Sequence, residues 1–216
     1  RAGEKRVTGP VLELIDESLE SFLRATVPLS ATDVDVSFDA PDREWSAKLT
    51  RPTVNLFLWD IRRSSDRSNS GVRTVVHNGQ TMRQAALPVV ELRYVVTAWT
   101  SDLGDERALL AGLLRPLLAH GQVPREFLAD ELAGIEMPVI KIARAGEDHM
   151  DVFKALEGKV KPGLNIVVSS EFDTGVLLPV GPPVEVIETA IGRIGDPERE
   201  RRRRLAGEVV DAVPRV

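Results

Sequence analysis

Within residues 87–120, LPVVELRYVVTAWTSDLGDERALLAGLLRPLLAH, the hydrophobic period changes midway, and that change constrains the fold more than any other feature of the chain. In the first half Val90, Leu92, Tyr94, Val96 and Ala98 share one face, and Glu91, Arg93 and Thr97 share the other. A period of two is the mark of a half-buried β-strand, and the β-branched and aromatic residues suit that setting. In the second half Leu103, Leu110, Leu113, Leu114, Leu117 and Leu118 recur at three- and four-residue spacing, as on one stripe of a helix. Asp102 is placed to cap this helix, and Asp105 and Glu106 suit the positive end of its dipole. A long strand running into a leucine-rich helix describes a scaffold of sheet and covering helix.

Further elements fit the same plan. Thr8-Gly9-Pro10 reads as a helix start, followed by the stripe Val11, Leu12, Ile15, Leu19, Phe22 and Leu23, with Pro28 as the stop. The stripe is expected to pack on the domain's own sheet. Val34, Val36 and Phe38 alternate with Asp33, Asp35, Ser37 and Asp39, a strand with one wet face near a sheet edge. A turn at 40–43 and a short segment through Trp45 and Leu49 follow. In residues 52–61, PTVNLFLWDI, both faces are apolar, which places the strand centrally in its sheet. Asp60, at its end, reads as a loop-capping carboxylate. Pro116 implies a kink in the leucine helix, since it has no N–H for the carbonyl of Gly112. His120-Gly121 reads as the helix end, with Gly121 in the left-handed position and His120 as a dipole partner. Later come a short helix at 123–132, a strand through Met137, Val139, Ile140 and Ile142, a helix capped by Asp148, and a strand over 164–173. Residues 175–183 read as loop, and a last strand falls within 184–194.

The arginines concentrate where the periodicity fails. Residues 62–84, RRSSDRSNSGVRTVVHNGQTMRQ, hold few apolar residues and carry Arg62, Arg63, Arg67, Arg73 and Arg83. Connections of this length are usually functional or disordered. Two readings stay open: a solvated hairpin loop, or an arm that grips an acidic surface of another subunit. Asn78-Gly79 favours a type I′ turn, so residues 75–80 read as a small hairpin tip. A second basic run, with Arg201, Arg202 and Arg203, lies in a charged tail over 196–216, expected to be a solvated helix or flexible. The division expected is a disordered 1–7, one α+β domain over 8–195, and the tail over 196–216.

The search for chemistry returns absences. The three histidines, His77, His120 and His149, lie in different elements, and neither an HExxH pairing, a GxSxG elbow nor a phosphate loop occurs. Asp148-His149 beside Asp151 sits at an expected helix start, where acids serve as caps. The chain has no cysteine, which excludes disulfides and thiolate metal sites. A net charge of −5, with no aromatics interleaved in the basic runs, gives no reason to expect nucleic acid. No apolar run reaches the roughly 20 residues that span a bilayer. The expectations are a non-enzymatic, cytoplasmic protein without catalytic residues, metal or cofactor, and without stable membrane insertion.

Three stretches together carry a resemblance: Pro52-Thr53-Val54-Asn55-Leu56-Phe57-Leu58-Trp59-Asp60-Ile61-Arg62; Leu87 through Tyr94 and on to Thr97-Ala98-Trp99, with the leucine helix behind; and Leu156 through Lys161-Pro162-Gly163-Leu164-Asn165-Ile166-Val167-Val168. Over roughly 8–190 the chain resembles the domain that defines the cap, or tail-terminator, proteins of phage-tail-like contractile injection systems. That family often has a histidine after the acid near the start of the leucine helix. Here Arg107 follows Glu106, so a role for that histidine does not transfer.

The resemblance implies an α+β fold with a central mixed or antiparallel sheet and flanking helices, similar to phage tail terminators. It implies a homo-hexameric ring on the last layer of inner tube and sheath, partnered by the tube and sheath proteins, that ends polymerisation and couples the two. A ring needs two different complementary surfaces on each subunit. The 62–84 segment and the chain from Val184 onward are the candidates for them. The competing reading is an adaptor that binds a peptide or effector along an exposed sheet edge.

Overall fold

A computed structural model of the chain describes residues 11–27, 33–66, 71–143, 156 and 161–180. By compactness the chain divides into Arg1–Leu178 and Pro179–Val216, and the elements below belong to the first unit, apart from the final residue of the last strand. In order they are α1 (Val11–Thr26), β1 (Asp35–Ser37), α2 (Arg43–Lys48), β2 (Thr53–Arg63), β3 (Val72–His77), β4 (Gln80–Ala85), β5 (Val89–Trp99), α3 (Leu103–Ala119), two 3-10 turns (Arg125–Phe127 and Asp130–Gly134), β6 (Val139–Ile142), β7 (Gly163–Glu171) and β8 (Leu177–Pro179).

The main sheet has the order β1-β2-β5-β7-β6, parallel at β1–β2 and antiparallel elsewhere. It is therefore mixed. β5 lies at the centre, and both its faces are buried, so the half-buried strand expected from the sequence is covered on its polar side as well. On one face Leu92, Tyr94 and Val96 join Leu56, Ile166 and Val168 beneath Ile15, Leu19, Phe22 and Leu23 of α1 and Leu113 and Leu117 of α3. Fully burying one such aliphatic side chain contributes about 1.5–3 kcal/mol, so this layer supplies the main driving force. On the other face Val95 and Trp99 pack with Trp45 and Leu49 from the α2 segment and with Phe57 and Trp59 of β2. The Trp45 and Trp99 rings meet edge to face at 5.3 Å and 84°, an arrangement their quadrupoles favour. The cover of the second face is thus a short helix of the same domain, its first turn capped by Asp42 Oδ1, which accepts from the Trp45 N–H at 2.7 Å.

Several expectations are corrected. Within 62–84 the described residues hold more strand than the small hairpin tip expected at 75–80: β2 continues through Arg63, and β3 and β4 form a hairpin paired without interruption from Val72↔Ala85 to His77↔Gln80. The Asn78-Gly79 turn has φ of 51° and 78°, the two left-handed residues of a type I′ turn. Leu177–Pro179, within a stretch read as loop, adds a third strand to give the order β3-β4-β8. Asp60 is not at the strand's end. The pairing of β2 with β5 slips between Leu58 and Asp60, a bulge that sets Asp60 opposite Arg93.

In α3 the buried positions are Glu106, Leu113, Pro116 and Leu117, while Leu103 and Leu118 are exposed, so the stripe runs through the acid and not through the outer leucines. The helix continues past Pro116 to Ala119, and His120 caps it through its N–H to the Pro116 carbonyl at 2.8 Å, its ring edge-on to Phe22. Gly121 is not left-handed. Residues 125–134 form 3-10 turns where a short helix was expected. The strand at 139–142, that at 163–171, and the edge position of β1 follow the sequence reading. The expected frayed start, the helix after Asp148, the strand at 184–194 and the 196–216 tail lie outside the described residues.

Candidate assembly interface

The three stretches that carry the family resemblance meet at one end of β5. Glu106, in the first turns of α3, is buried and forms an ion pair with Lys161, whose ammonium also lies 3.3 Å from the Ala98 carbonyl and 4.9 Å from the centre of the Trp99 ring. The Trp99 indole N–H donates to Thr97 Oγ1 at 2.9 Å. A buried charge is tolerated when it is paired and hydrogen-bonded, and the cation over the indole adds an attraction of its own. Gly163, two residues after Lys161, has no room for a side chain: a Cβ there would lie 2.9 Å from Val95 Cγ2 and 3.1 Å from Thr97 Cγ2. This group ties helix, strand and the approach to β7 together. The sequence signal for it was available, in an acid placed on an apolar helical stripe.

A second polar group lies on the same face of the sheet beyond the β2 bulge. Arg93, only 8% exposed, reaches Glu91 Oε2 at 3.3 Å and Asp60 Oδ2 at 3.8 Å, while Arg62 Nε closes on Asp60 and Ser64 Oγ donates to Glu91 at 2.9 Å. Opposite charges in alternating positions settle this group as a structural network. On the helix-covered face, Tyr94 is fully buried and donates to Asp16 Oδ1 of α1 at 2.7 Å. Burial pushes the Asp16 carboxyl up to about 6, with the Tyr94 hydroxyl pulling it down and Glu13 adding to the rise. The Tyr94 phenol is raised above its ordinary value by burial, then by the neighbouring Asp16 charge.

No group of three or more metal-ligating side chains occurs among the described residues, and no helix among them is long and apolar enough to cross a membrane. The carboxylates above are occupied in pairing.

The candidate contact arginines separate into three sets. Arg62 is held by Asp60 but its side chain remains 59% exposed, and Arg63 is exposed at the end of β2. Arg73 and Arg83 stand exposed on the hairpin, in β3 and β4. Arg73 Nε donates to Gln84 Oε1 at 2.8 Å, and the buried Gln84 amide donates in turn to Asp173 Oδ1 at 3.0 Å, which anchors the hairpin to the segment after β7. Arg67, Arg201, Arg202 and Arg203 lie outside the described residues. The structure therefore brings Arg73 and Arg83 onto one ribbon, with Arg62 and Arg63 on a different strand.

Residues 14–185 match the family described as the Pvc16 N-terminal domain. The chain belongs to that family. No curated protein sequence matches at a significant level. Among solved structures, the Pvc16-type chain is similar to the sheath/tube terminator of PVC, an extracellular contractile injection system, in its extended state: 19% identity and a TM-score of 0.56, covering 94% of this chain and 72% of that one. It is also similar to the tube-terminating cap of the anti-feeding prophage, at 19% identity and a TM-score of 0.55, covering 82% of this chain and 60% of that one. This Pvc16-type domain thus spans about three-fifths of the anti-feeding prophage cap. The likeness is one of fold, and it is the α+β fold with a central sheet and flanking helices expected from the sequence.

Proposed function

We propose that this protein is the structural cap of a contractile particle, closing the inner tube and sheath at the end far from the baseplate, ending polymerisation and coupling the two. The supporting observation is family membership over residues 14–185 together with a fold shared with two proteins described as a sheath/tube terminator and a tube-terminating cap. In this reading the protein works as a homo-hexameric ring that touches the tube and sheath proteins, assembles in the cytoplasm, and needs neither catalysis, cofactor, nucleic acid nor membrane. Arg63, Arg73 and Arg83 supply contacts to neighbouring subunits from the exposed end of β2 and the hairpin, with Arg62, Arg67 and the 201–203 run as further contributors.

A ring of this kind requires a rigid body carrying separate docking surfaces. The tightly covered β5 and its paired charges fit the first requirement, and the solvent-facing hairpin fits the second. Electron microscopy of particles made with and without the protein tests the proposal. Loss of the protein is expected to give overlong or unstable tubes with bare ends. Tubes of unchanged length and ordinary ends in its absence refute a capping role and favour the adaptor reading, in which the protein binds soluble partners as a monomer or dimer.

A further inference from the structure

A sheet edge presents a row of unpaired backbone donors and acceptors, and proteins blunt such edges unless the edge is used. Among the described residues, three of the four sheet edges are blunted. β1 is three residues long, and the Val34 carbonyl just before it accepts from Arg24 Nη1 at 3.3 Å. β6 is flanked by the 121–123 segment, with the Ile140 N–H on the Gly121 carbonyl at 3.0 Å and the Val123 N–H on the Pro138 carbonyl at 2.9 Å. β8 is three residues long and includes Pro179, which has no N–H.

β3 is different. It is six residues long, holds neither lysine nor proline, and pairs with β4 without a register shift. In a two-residue hairpin the ladder bonds fall on alternate pairs beginning next to the turn, here His77↔Gln80, Val75↔Met82 and Arg73↔Gln84. The Ala86 N–H on the Gly71 carbonyl at 3.0 Å continues that alternation. The N–H and C=O groups of Val72, Thr74 and Val76 therefore point away from β4, into the side where, among the described residues, the sheet order β3-β4-β8 places no strand. The same three side chains lie on the ribbon's exposed face, with Val72 65% and Val76 75% exposed. The one charge on the strand, Arg73, is turned across the ladder to Gln84 and does not guard the edge.

We infer that β3 is a receiving edge for an extended, carboxylate-bearing segment of a different polypeptide, which adds as a new strand beside Val72, Thr74 and Val76. The backbone supplies the affinity, as in other strand additions. The charges supply the selectivity: residues 71–84 contain Arg73 and Arg83 and no acidic residue, so acids on the incoming strand are favoured and basic residues repelled. A second copy of β3 does not meet this selectivity, because it carries no carboxylate. The acid-rich stretch 33–39 of a second copy is committed to its own β1. The inference goes beyond capping, since it names the edge and the chemistry of the segment it accepts.

Backbone hydrogen exchange of the full chain, with synthetic peptides as probes, tests it. A peptide alternating valine with glutamate is expected to slow exchange at Val72, Thr74 and Val76 by about tenfold once free peptide reaches about ten times its Kd. Its lysine counterpart is expected to leave the three amides unchanged. Thr74→Pro removes an outward donor and should abolish the protection, while Thr74→Val retains it. The ladder amides of Arg73, Val75 and His77 report whether the hairpin survives the proline. If it does not, the double variant R73E/R83E takes its place and should reverse the preference toward the lysine peptide. Unchanged exchange with the glutamate peptide, equal protection by both peptides, or an unaltered preference in R73E/R83E overturns the inference. Particle ends that are ordinary without the protein would refute capping alone, leaving the exchange result standing; absent protection beside bare, overlong tubes would refute only the receiving edge.

Discussion

β5 and the β3–β4 hairpin are both built from alternating β-branched residues, yet they end in opposite environments. Val95 and Val96 in β5 are fully buried, whereas Val72 and Val76 in β3 are mostly exposed. Strand preference alone does not distinguish them. β5 has a strand on either side, helices α1 and α3 over one face and the α2 segment over the other. β3 has one neighbour, and nothing among the described residues covers its outer face. The contrast separates a body that holds its shape from a ribbon left available to something else.

Four substitutions test that contrast, from the largest effect to the smallest. Leu92→Ala, in the fully buried layer beneath α1 and α3, should cost about 2–5 kcal/mol in urea unfolding; a loss below about 1 kcal/mol would mean that β5 is less tightly packed than its burial indicates. Lys161→Met leaves the buried Glu106 carboxylate without its partner and should cost about 3 kcal/mol, while the double variant E106L/K161M recovers most of the loss. A double-mutant cycle that gives additive losses would deny the coupling.

Asp16→Asn probes the helix-covered face by pH. The Asp16 carboxyl titrates at about 6 in the fold against an ordinary value of 3.8, so the folded state holds this proton more tightly. Its contribution is fully present below about pH 4 and is lost as pH rises through about 6. The wild-type urea midpoint should therefore carry a component that falls across that window, and Asp16→Asn should flatten it. Identical pH profiles for the two proteins would remove Asp16 from the account. At the other extreme, Val76→Thr on the hairpin's open face should change global stability by less than about 0.5 kcal/mol. A larger loss in thermal unfolding would show that this face is covered in the isolated protein.

Most of the body was legible in the sequence because period and capping are local properties. The run 87–120 resolved into β5, the Asp102 cap and α3 as expected, and Asn78-Gly79 formed its turn. The hairpin as a whole was obscured because its outer face is polar or singly apolar, so Val72, Thr74 and Val76 lacked the contrast that marks a half-buried strand. Leu103 and Leu118 misled for a related reason: leucine marks a helical stripe only where the sheet lies opposite, and here that line runs through Glu106. Glu106 stands out as an acid on an apolar stripe, but Lys161 lies 55 positions away and no local pattern joins the two. The candidate contact arginines stand out by composition, but their distribution between Asp60, Gln84 and open solvent is a property of the folded chain.

The bulge in β2 divides that strand's packing obligations in two. Up to Leu58 alternate residues are answerable to the apolar layer beneath α1 and α3; from Asp60 onward the phase is reversed, and the side chains that face Arg93 and Glu91 answer to the charged margin. Trp59 is the extra residue that permits both. An unbulged ladder would set Trp59 opposite Arg93 and turn Asp60 toward the apolar layer, so the bulge is what lets Trp59 pack with Val95 and Trp99 while Asp60 keeps its arginines.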